Sequence, residues 1–458
     1  MSLLLLNIAG GDCVEDIKRL ESDKGVQTLL LTLETQGMSR AEKRAYERRW
    51  HKARKSDAKK SAFPSASSIR RYLEQFHNAG QESLRVAGKA FIPAPNKVLS
   101  QLMQVNGVLI HFAQRSNPVM TATLDQDATL SSTQKNSALY CYEKYKAYQP
   151  LNTYWHEQGF LLHSEFRDGN VPAGFEETRV LKEALEVLPE GVTKVYLRTD
   201  TAGYQRELLR YCAKGENERF GVIEFAIGAD VNLAFKKAVN ELKPEDWKPL
   251  YREANGEQVK TEQEWAEVCF VPNWTCLKKD EPPYRFLAIR EKMAVQEDML
   301  IAEILEKDLP FQAMELGKSA YKIFGVVTNR TIDGNALINW HRKRCGDSER
   351  VHSTEKSELA GGQFPSSKFG ANAAWWQIMV LAFNLNALMK QLALPTSLKK
   401  KQLKAIRFYI IGVAGRVVKH ARRLIMKLNT KAAALMNEIR QRILALAAPR
   451  LEPGGQHR

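Results

Sequence analysis

The run Thr123-Leu-Asp-Gln-Asp-Ala-Thr129 decides how this chain is read. It is short and strand-like, and it carries two carboxylates, Asp125 and Asp127, two residues apart. Side chains alternate across a strand, so the two acids share a face. Asp127 is followed by Ala128 and Thr129, an acid-x-hydroxyl pattern. A second strand-like run, Lys194–Thr199, ends in Asp200, just before a helical segment at Tyr204–Ala213. One aspartate at a strand end reads first as a turn or a cap. Two in one α/β domain favour a shared site.

A third acid comes from a polar, arginine-rich helix over Gly334–Leu359. There Arg342, Glu349, His352, Ser353 and Lys356 recur at helical spacing and predict one face, while Glu355 is expected to point away from it. Three carboxylates on two strand ends and a helix suit oxygen-liganded divalent cations. Two such ions, about 3.5–4 Å apart, clamp the attacking and leaving oxygens of an in-line displacement.

The chain has 458 residues and a formal net charge of +16. That length implies several domains, and that charge favours a polyanionic partner. Six scattered cysteines with no CxxC pair exclude a zinc ribbon and a disulfide scaffold, and fit a reducing cytosol. The apolar start Met1–Ala9 lacks a basic flank and does not read as a signal peptide. Ala371–Met389 is strongly apolar, but Gln377, Asn384 and Asn386 interrupt it, so a buried core helix is expected and not a membrane span. No Gly-rich nucleotide loop is present, so no nucleotide cofactor is expected.

Residues 1–80 read as helical. Ser39–Lys60 carries ten Lys/Arg against three acids. Pro64–Phe76 begins with a helix-start signal and has an apolar face of Ile69, Leu73 and Phe76, which turns Arg70 and Arg71 to solvent. That pattern is compatible with the second helix of a helix-turn-helix. Strands are expected at Val119–Leu130, Ala138–Tyr142, Phe160–Phe166, Lys194–Thr199 and Phe220–Ile227, with helices at Thr178–Leu188 and Tyr204–Ala213. This alternation predicts a mixed α/β sheet. More β-like runs follow at Glu267–Val271, Tyr284–Arg290 and Tyr321–Thr328. The tail is expected to be helical. From Leu359 to Asn437 it holds 13 Lys/Arg and no Asp or Glu, with Lys399, Lys400, Lys401, Arg416, Arg422 and Arg423 among its cations. Surfaces normally mix charge signs, so an acid-free stretch of this length favours contacts with a DNA backbone.

The segments Thr123–Thr129, Val195–Asp200 and Arg342–Lys356 resemble DDE transposases of bacterial insertion sequences. The likeness is closest to the group with a Tyr-x2-Arg-x3-Glu-x6-Lys signature, and Gly10–Leu20 is similar to that group's N-terminal region. The resemblance covers most of the chain. It implies a ribonuclease-H-like mixed sheet interrupted by a β-rich insertion, flanked by helical DNA-binding regions. The implied order is a helical DNA-binding region at 1–115, the first part of the catalytic core at 116–230, the insertion at 231–330, the catalytic helix at 331–360 and a basic helical region at 361–458. It implies catalytic, metal-binding Asp127, Asp200 and Glu349, with Asp125 as the alternative first acid, and two Mg²⁺ or Mn²⁺ ions. Lys356 matches the signature lysine. The signature arginine falls on Cys345 beside Arg344, and the tyrosine falls on Arg342. Arg342, Arg344, His352 and Lys356 would position phosphates.

The implied activity is cleavage at element ends and joining of the freed 3′-hydroxyl to target DNA. The partners would be double-stranded DNA, as terminal inverted repeats and target, and a second copy of the chain. The expected location is cytoplasmic, on the nucleoid, with no membrane contact. Two rivals share the charge pattern: a metal-dependent nuclease or resolvase, and an inactive, N-terminally shortened copy that binds DNA as a repressor.

Overall fold

The computed structural model describes residues 1–56, 62–254, 256–274, 284–293, 309, 311–317, 319–420 and 423–447. The strand-forming runs assemble into one large mixed sheet. Its first strands are β1 (Thr121–Ala128), β4 (Leu151–Trp155), β5 (Phe160–Glu165), β6 (Lys194–Thr199) and β7 (Glu224–Ala229), while the short β2 (Ser131–Ser132) and β3 (Ala147–Tyr148) pair with each other outside it. Then come β8 (Lys248–Ala254), β9 (Glu257–Val268), β10 (Arg285–Lys292), β11 (Ala313–Leu316) and β12 (Ser319–Thr328). The sheet order is β5-β4-β1-β6-β7-β12-β10-β9-β8, with β11 against β12. β1 is antiparallel to β4 and parallel to β6, and β6 is parallel to β7.

The described residues of 231–330 include the strands β8 to β12, and these form no separate layer. β12 pairs with β7 from Thr328↔Ala226 to Gly325↔Ala229, so the interruption prolongs the same sheet. Gly325-Val-Val-Thr328 is buried at every position, as suits a strand inside a sheet with both faces covered, while Phe324 before it is exposed.

Helices cover both faces. On one side Glu177–Val187 and Arg206–Lys214 pack Leu181, Leu185, Leu208 and Leu209 over Leu124, Leu197 and Phe225, all buried. The helix Lys97–Ser116 adds Ile110 and Ala113. On the other side the helix Gly334–Ser353 buries Leu337 and Ile338 against Leu250, Trp265, Leu287 and Val326. The apolar segment Phe369–Leu392 is one helix with Trp375 and Trp376 fully buried. Its Asn384 donates to Asn106 Oδ1 at 2.6 Å and to the Leu161 carbonyl at 2.8 Å, and accepts from the Leu161 amide. A buried amide with all these partners costs little, which is why polar residues sit in so apolar a helix. No helix among the described residues is long and apolar enough to cross a membrane.

The N-terminal helices pack on this same core through Leu3, Leu6, Ile69, Leu73 and Phe76. Ser65 caps the Ala66–Glu74 helix by accepting from the Ser68 amide.

Four readings differ from the structure. Ala138–Tyr142 holds only the isolated bridge Tyr140↔Lys146, and its chain turns at Lys144, which has φ 65°. β7 starts at Glu224 and not Phe220, because an Asn217–Gly221 turn precedes it. β4 was not foreseen: all five of its residues are buried, so it shows no alternation. The tail is not wholly helical, since β13 (Gly415–His420) and β14 (Arg423–Leu428) form a hairpin before the helix Thr430–Ala447. Val417-Val418 and Leu424-Ile425 suit a strand better than a helix.

Candidate active site

β1 and β6 run parallel with Gln126 opposite Thr199, so their next residues, Asp127 and Asp200, leave the sheet at one end. Antiparallel β4 places Asn152 directly opposite Asp127. Above them lies the helix Gly334–Ser353, continued by a wide π-type turn at Thr354–Glu358 in which the Leu359 amide bonds to the Thr354 carbonyl. The helix lays a stripe on the sheet: Leu337, His341, Arg344, Ser348, Val351 and Glu355, spaced alternately four and three.

Both aspartates of β1 face this helix, as the two-residue spacing predicts, but their partners differ. Asp125 is fully buried and held by two bonds from Arg198, at 2.6 and 2.7 Å. Arg198 also donates to the Trp340 carbonyl at 2.8 Å. Asp347 joins this cluster through His156, and Asp125, His156 and Asp347 lie close enough to share a cation. The Arg198 guanidinium already occupies both Asp125 oxygens, so the cluster acts as a buried ion-pair network that joins the helix to the sheet. His156 had shown no ligand spacing in the sequence; its role appears only when Asp347 comes over it.

Asp127 accepts from Arg344 Nη1 at 2.9 Å and bonds with Ser348. Burial raises its pKa, against the pull of Arg344. Asp200 accepts from the Ala202 amide at 2.9 Å. Burial raises it too, and the charge of Asp127 adds to the rise while Arg344 opposes it. The two carboxylates therefore share one field, with one guanidinium between them.

Glu355 comes to the same strand end through Asn152, which stands opposite Asp127. It is fully buried; Oε1 accepts from Asn152 Nδ2 at 2.8 Å, and Oε2 has no hydrogen-bond partner among the described residues. Burial pushes it up to about 8; Asn152 and Lys356 pull it down, and the Asp127 charge raises it further. Glu349, the acid expected here, is exposed, as is Cys345. The expected face was drawn one step round the helix from the real one, because it followed the charges. The apolar residues give the inward face: four residues beyond Val351, which is buried, is Glu355. Glu355 thus points inward, not away as expected.

The expected phosphate contacts also separate. Arg344 reaches Asp127, with Nε unpartnered among the described residues. Lys356 donates to Thr129 Oγ1 at 2.9 Å and to the Leu130 carbonyl at 3.2 Å, so the acid-x-hydroxyl threonine anchors the lysine. His352 stands near Lys356 and Arg344; burial first, then those charges, depress it to about 4. Arg342 is turned toward Arg252 and Glu291, away from the acids. Glu177, which no reading singled out, is buried beneath the site, accepts from Thr199 Oγ1 at 2.9 Å and is pushed up to about 8 by burial, with Asp200 adding to the rise.

On the periphery, Arg70 and Arg71 are exposed; Arg70 pairs with Glu15, and Arg71 donates to Ser68 Oγ at 3.4 Å. Lys399, Lys400, Lys401 and Arg416 are exposed. Arg423 opens β14, and Arg422 lies outside the described residues. Arg407, from the same basic tail, is internal: it donates to the Asn7 and Ile8 carbonyls at 2.7 Å.

The sequence matches the family model described as transposase DDE domain group 1 over residues 1–276 and 311–448. The chain belongs to that family. No curated protein matches the sequence. Among solved structures, the chain is similar to a piggyBac transposase in a synaptic complex with hairpin DNA, at 10% identity and a TM-score of 0.38. That match covers 72% of this chain and 55% of the other, so this chain spans about half its length. The match to the DDE transposase model runs through Asp127, Asp200 and the whole helix that carries Arg344 and Glu355.

Proposed function

We propose that this DDE family member cuts DNA phosphodiesters at the ends of an insertion sequence and joins the freed 3′-hydroxyls to target DNA. The observation that carries the reading is geometric: Asp127 and Asp200 stand at neighbouring ends of the parallel strands β1 and β6, and Asn152, directly opposite Asp127, is bonded to the buried Glu355. The sheet order, with β5, β4 and β1 antiparallel and β1, β6 and β7 parallel, supports a ribonuclease-H-like core.

The donor set is all carboxylate oxygen, and a buried Glu355 oxygen lacks a partner, which fits a hard cation such as Mg²⁺ or Mn²⁺. Asp127, Asp200 and Glu355 would hold two such ions. When bound, they supply charge stabilisation to the attacking and leaving oxygens. Asn152 orients Glu355 through Oε1 and leaves Oε2 for binding. Arg344, released from Asp127, would bind a phosphate oxygen, which its planar fork suits. Lys356, held at Thr129, adds a fixed positive charge at the rim. The exposed cations Arg70, Arg71, Lys399, Lys400, Lys401 and Arg416 would track the backbone of terminal repeats and target, with a second copy pairing the ends.

The test is incubation of the purified chain with the DNA that flanks its own reading frame, a target plasmid and Mg²⁺. Joined products are expected. Nicked or cut ends that never join would leave a nuclease. Retained binding with no cutting, unchanged by Asp127→Asn and Asp200→Asn, would leave a repressor.

A further inference from the structure

The segment between β2 and β3 is unusual in composition and placement. It leaves the same sheet end as Asp127, a few residues past Thr129, and returns at Tyr148 opposite Ser131. It reads Leu139-Tyr-Cys-Tyr-Glu-Lys-Tyr-Lys146. Buried Ala138 and Cys141 pin it to the body, and the Cys141 amide bonds to the Tyr145 carbonyl at 2.9 Å across a tight turn. Lys144 sits at that turn in the left-handed region. The tyrosines on either side of Cys141 are exposed: Tyr142 at 73%, Tyr140 at 62% and Tyr145 at 36%. Lys146 Nζ stands 5.8 Å over the Tyr140 ring and donates to the Asn136 carbonyl at 3.0 Å. Burial raises the Tyr142 pKa, and the neighbouring Glu143 adds to the rise, with a last and smallest contribution from Asp200.

Exposed aromatic rings beside Lys144 and Lys146, with Glu143 bonded to the Tyr142 and Tyr145 hydroxyls, on a braced loop that follows the strand end of Asp127, fit a particular occupant. We propose that Tyr140 and Tyr142 form a stacking platform for an unpaired nucleobase of the strand next to the scissile phosphate, with Lys144 and Lys146 on its backbone. This rests on the proposed DNA-cutting function. A ring face accepts any base, but only one that has left the duplex stack, so the platform selects locally opened DNA.

The test uses the full chain and a short thymidine oligonucleotide carrying one 5-iododeoxyuridine, offered single-stranded or as a duplex. Irradiation should cross-link the single strand to Tyr140 or Tyr142. Tyr140→Ala with Tyr142→Ala should weaken single-strand binding about tenfold or more and change duplex binding by less than about twofold. Tyr140→Phe with Tyr142→Phe should restore it, since stacking needs no hydroxyl. Unchanged single-strand binding in the alanine pair, or cross-links only elsewhere, overturns the platform. So does loss of self-association in the alanine pair without a DNA effect, which would make a second copy the occupant. Normal cutting and joining by the alanine pair with unchanged binding would sink the platform and spare the proposed function. Tyrosine-dependent binding in a chain that never cuts DNA would do the reverse.

Discussion

Glu355 and Glu349 differ by six positions, and the structure gives them opposite fates: one is sealed under the helix and the other is in solvent. Glu355→Gln should lower DNA cleavage by roughly 10³-fold, the several kcal/mol of charge stabilisation that a metal supplies. Glu349→Gln should change it by less than about threefold. Cleavage rates of the two variants against wild type decide the matter, and an inactive Glu349→Gln would restore the signature's acid. The buried acids and histidines also set a pH signature. Glu177 and Glu355 stay protonated in the folded chain to about 8, whereas unfolded they lose the proton near 4.5, so each lowers stability as pH rises across that window. His341 and His352, depressed to about 4, act oppositely between about 4 and 6.5. From pH 6.5 to 8 only the carboxyls remain, so the metal-free chain should lose stability there. Denaturant melts should show that fall reduced in Glu177→Gln. Saturating Mg²⁺ should remove the Glu355 share and leave the Glu177 share.

At the scale of elements, the helix Gly334–Ser353 is tied to β1 and β6 by Arg198, which links Asp125 to the Trp340 carbonyl. Arg198→Met should cost about 3–5 kcal/mol in denaturant melts, because it leaves Asp125 buried without its partner. The Asp125→Leu/Arg198→Met pair should recover much of that loss; equal losses in the single and double variants would contradict the ion-pair account. Element placement was legible where a strand carried its signal locally: Lys194–Thr199 matches β6 residue for residue. It was illegible where burial on both faces erased alternation, as in β4. The placement of Asp127 and Asp200 at neighbouring strand ends was readable, because each follows a local strand signal. Glu355 was not, since choosing a helix face takes the apolar stripe and not the charges.

Across the whole molecule, one sheet carries Asp127 and Asp200 on its central strands and extends through β12 to the edge strand β8, while the helices Ser2–Ala9 and Thr430–Ala447 pack on the helix Phe369–Leu392. The cations left exposed by this folding, Lys399, Lys400 and Lys401 above all, should set the salt dependence of DNA binding. Replacing the three with alanine should reduce the log–log slope by about 0.9 for each lysine that meets a phosphate. An unchanged slope would move the DNA path elsewhere. Composition could mark the tail as basic, but it could not separate Arg407, spent on the Asn7 and Ile8 carbonyls, from its exposed neighbours.

The Arg344–Asp127 pair has a consequence for how such a protein matures. A cluster of acids without its metal would repel itself and resist closing. Here the chain brings its own counter-cation, so the site can close before any ion arrives. Under the proposed function, folding and metal loading become separate events: the chain closes this site with its own guanidinium, and divalent ions would enter a protein that is already folded.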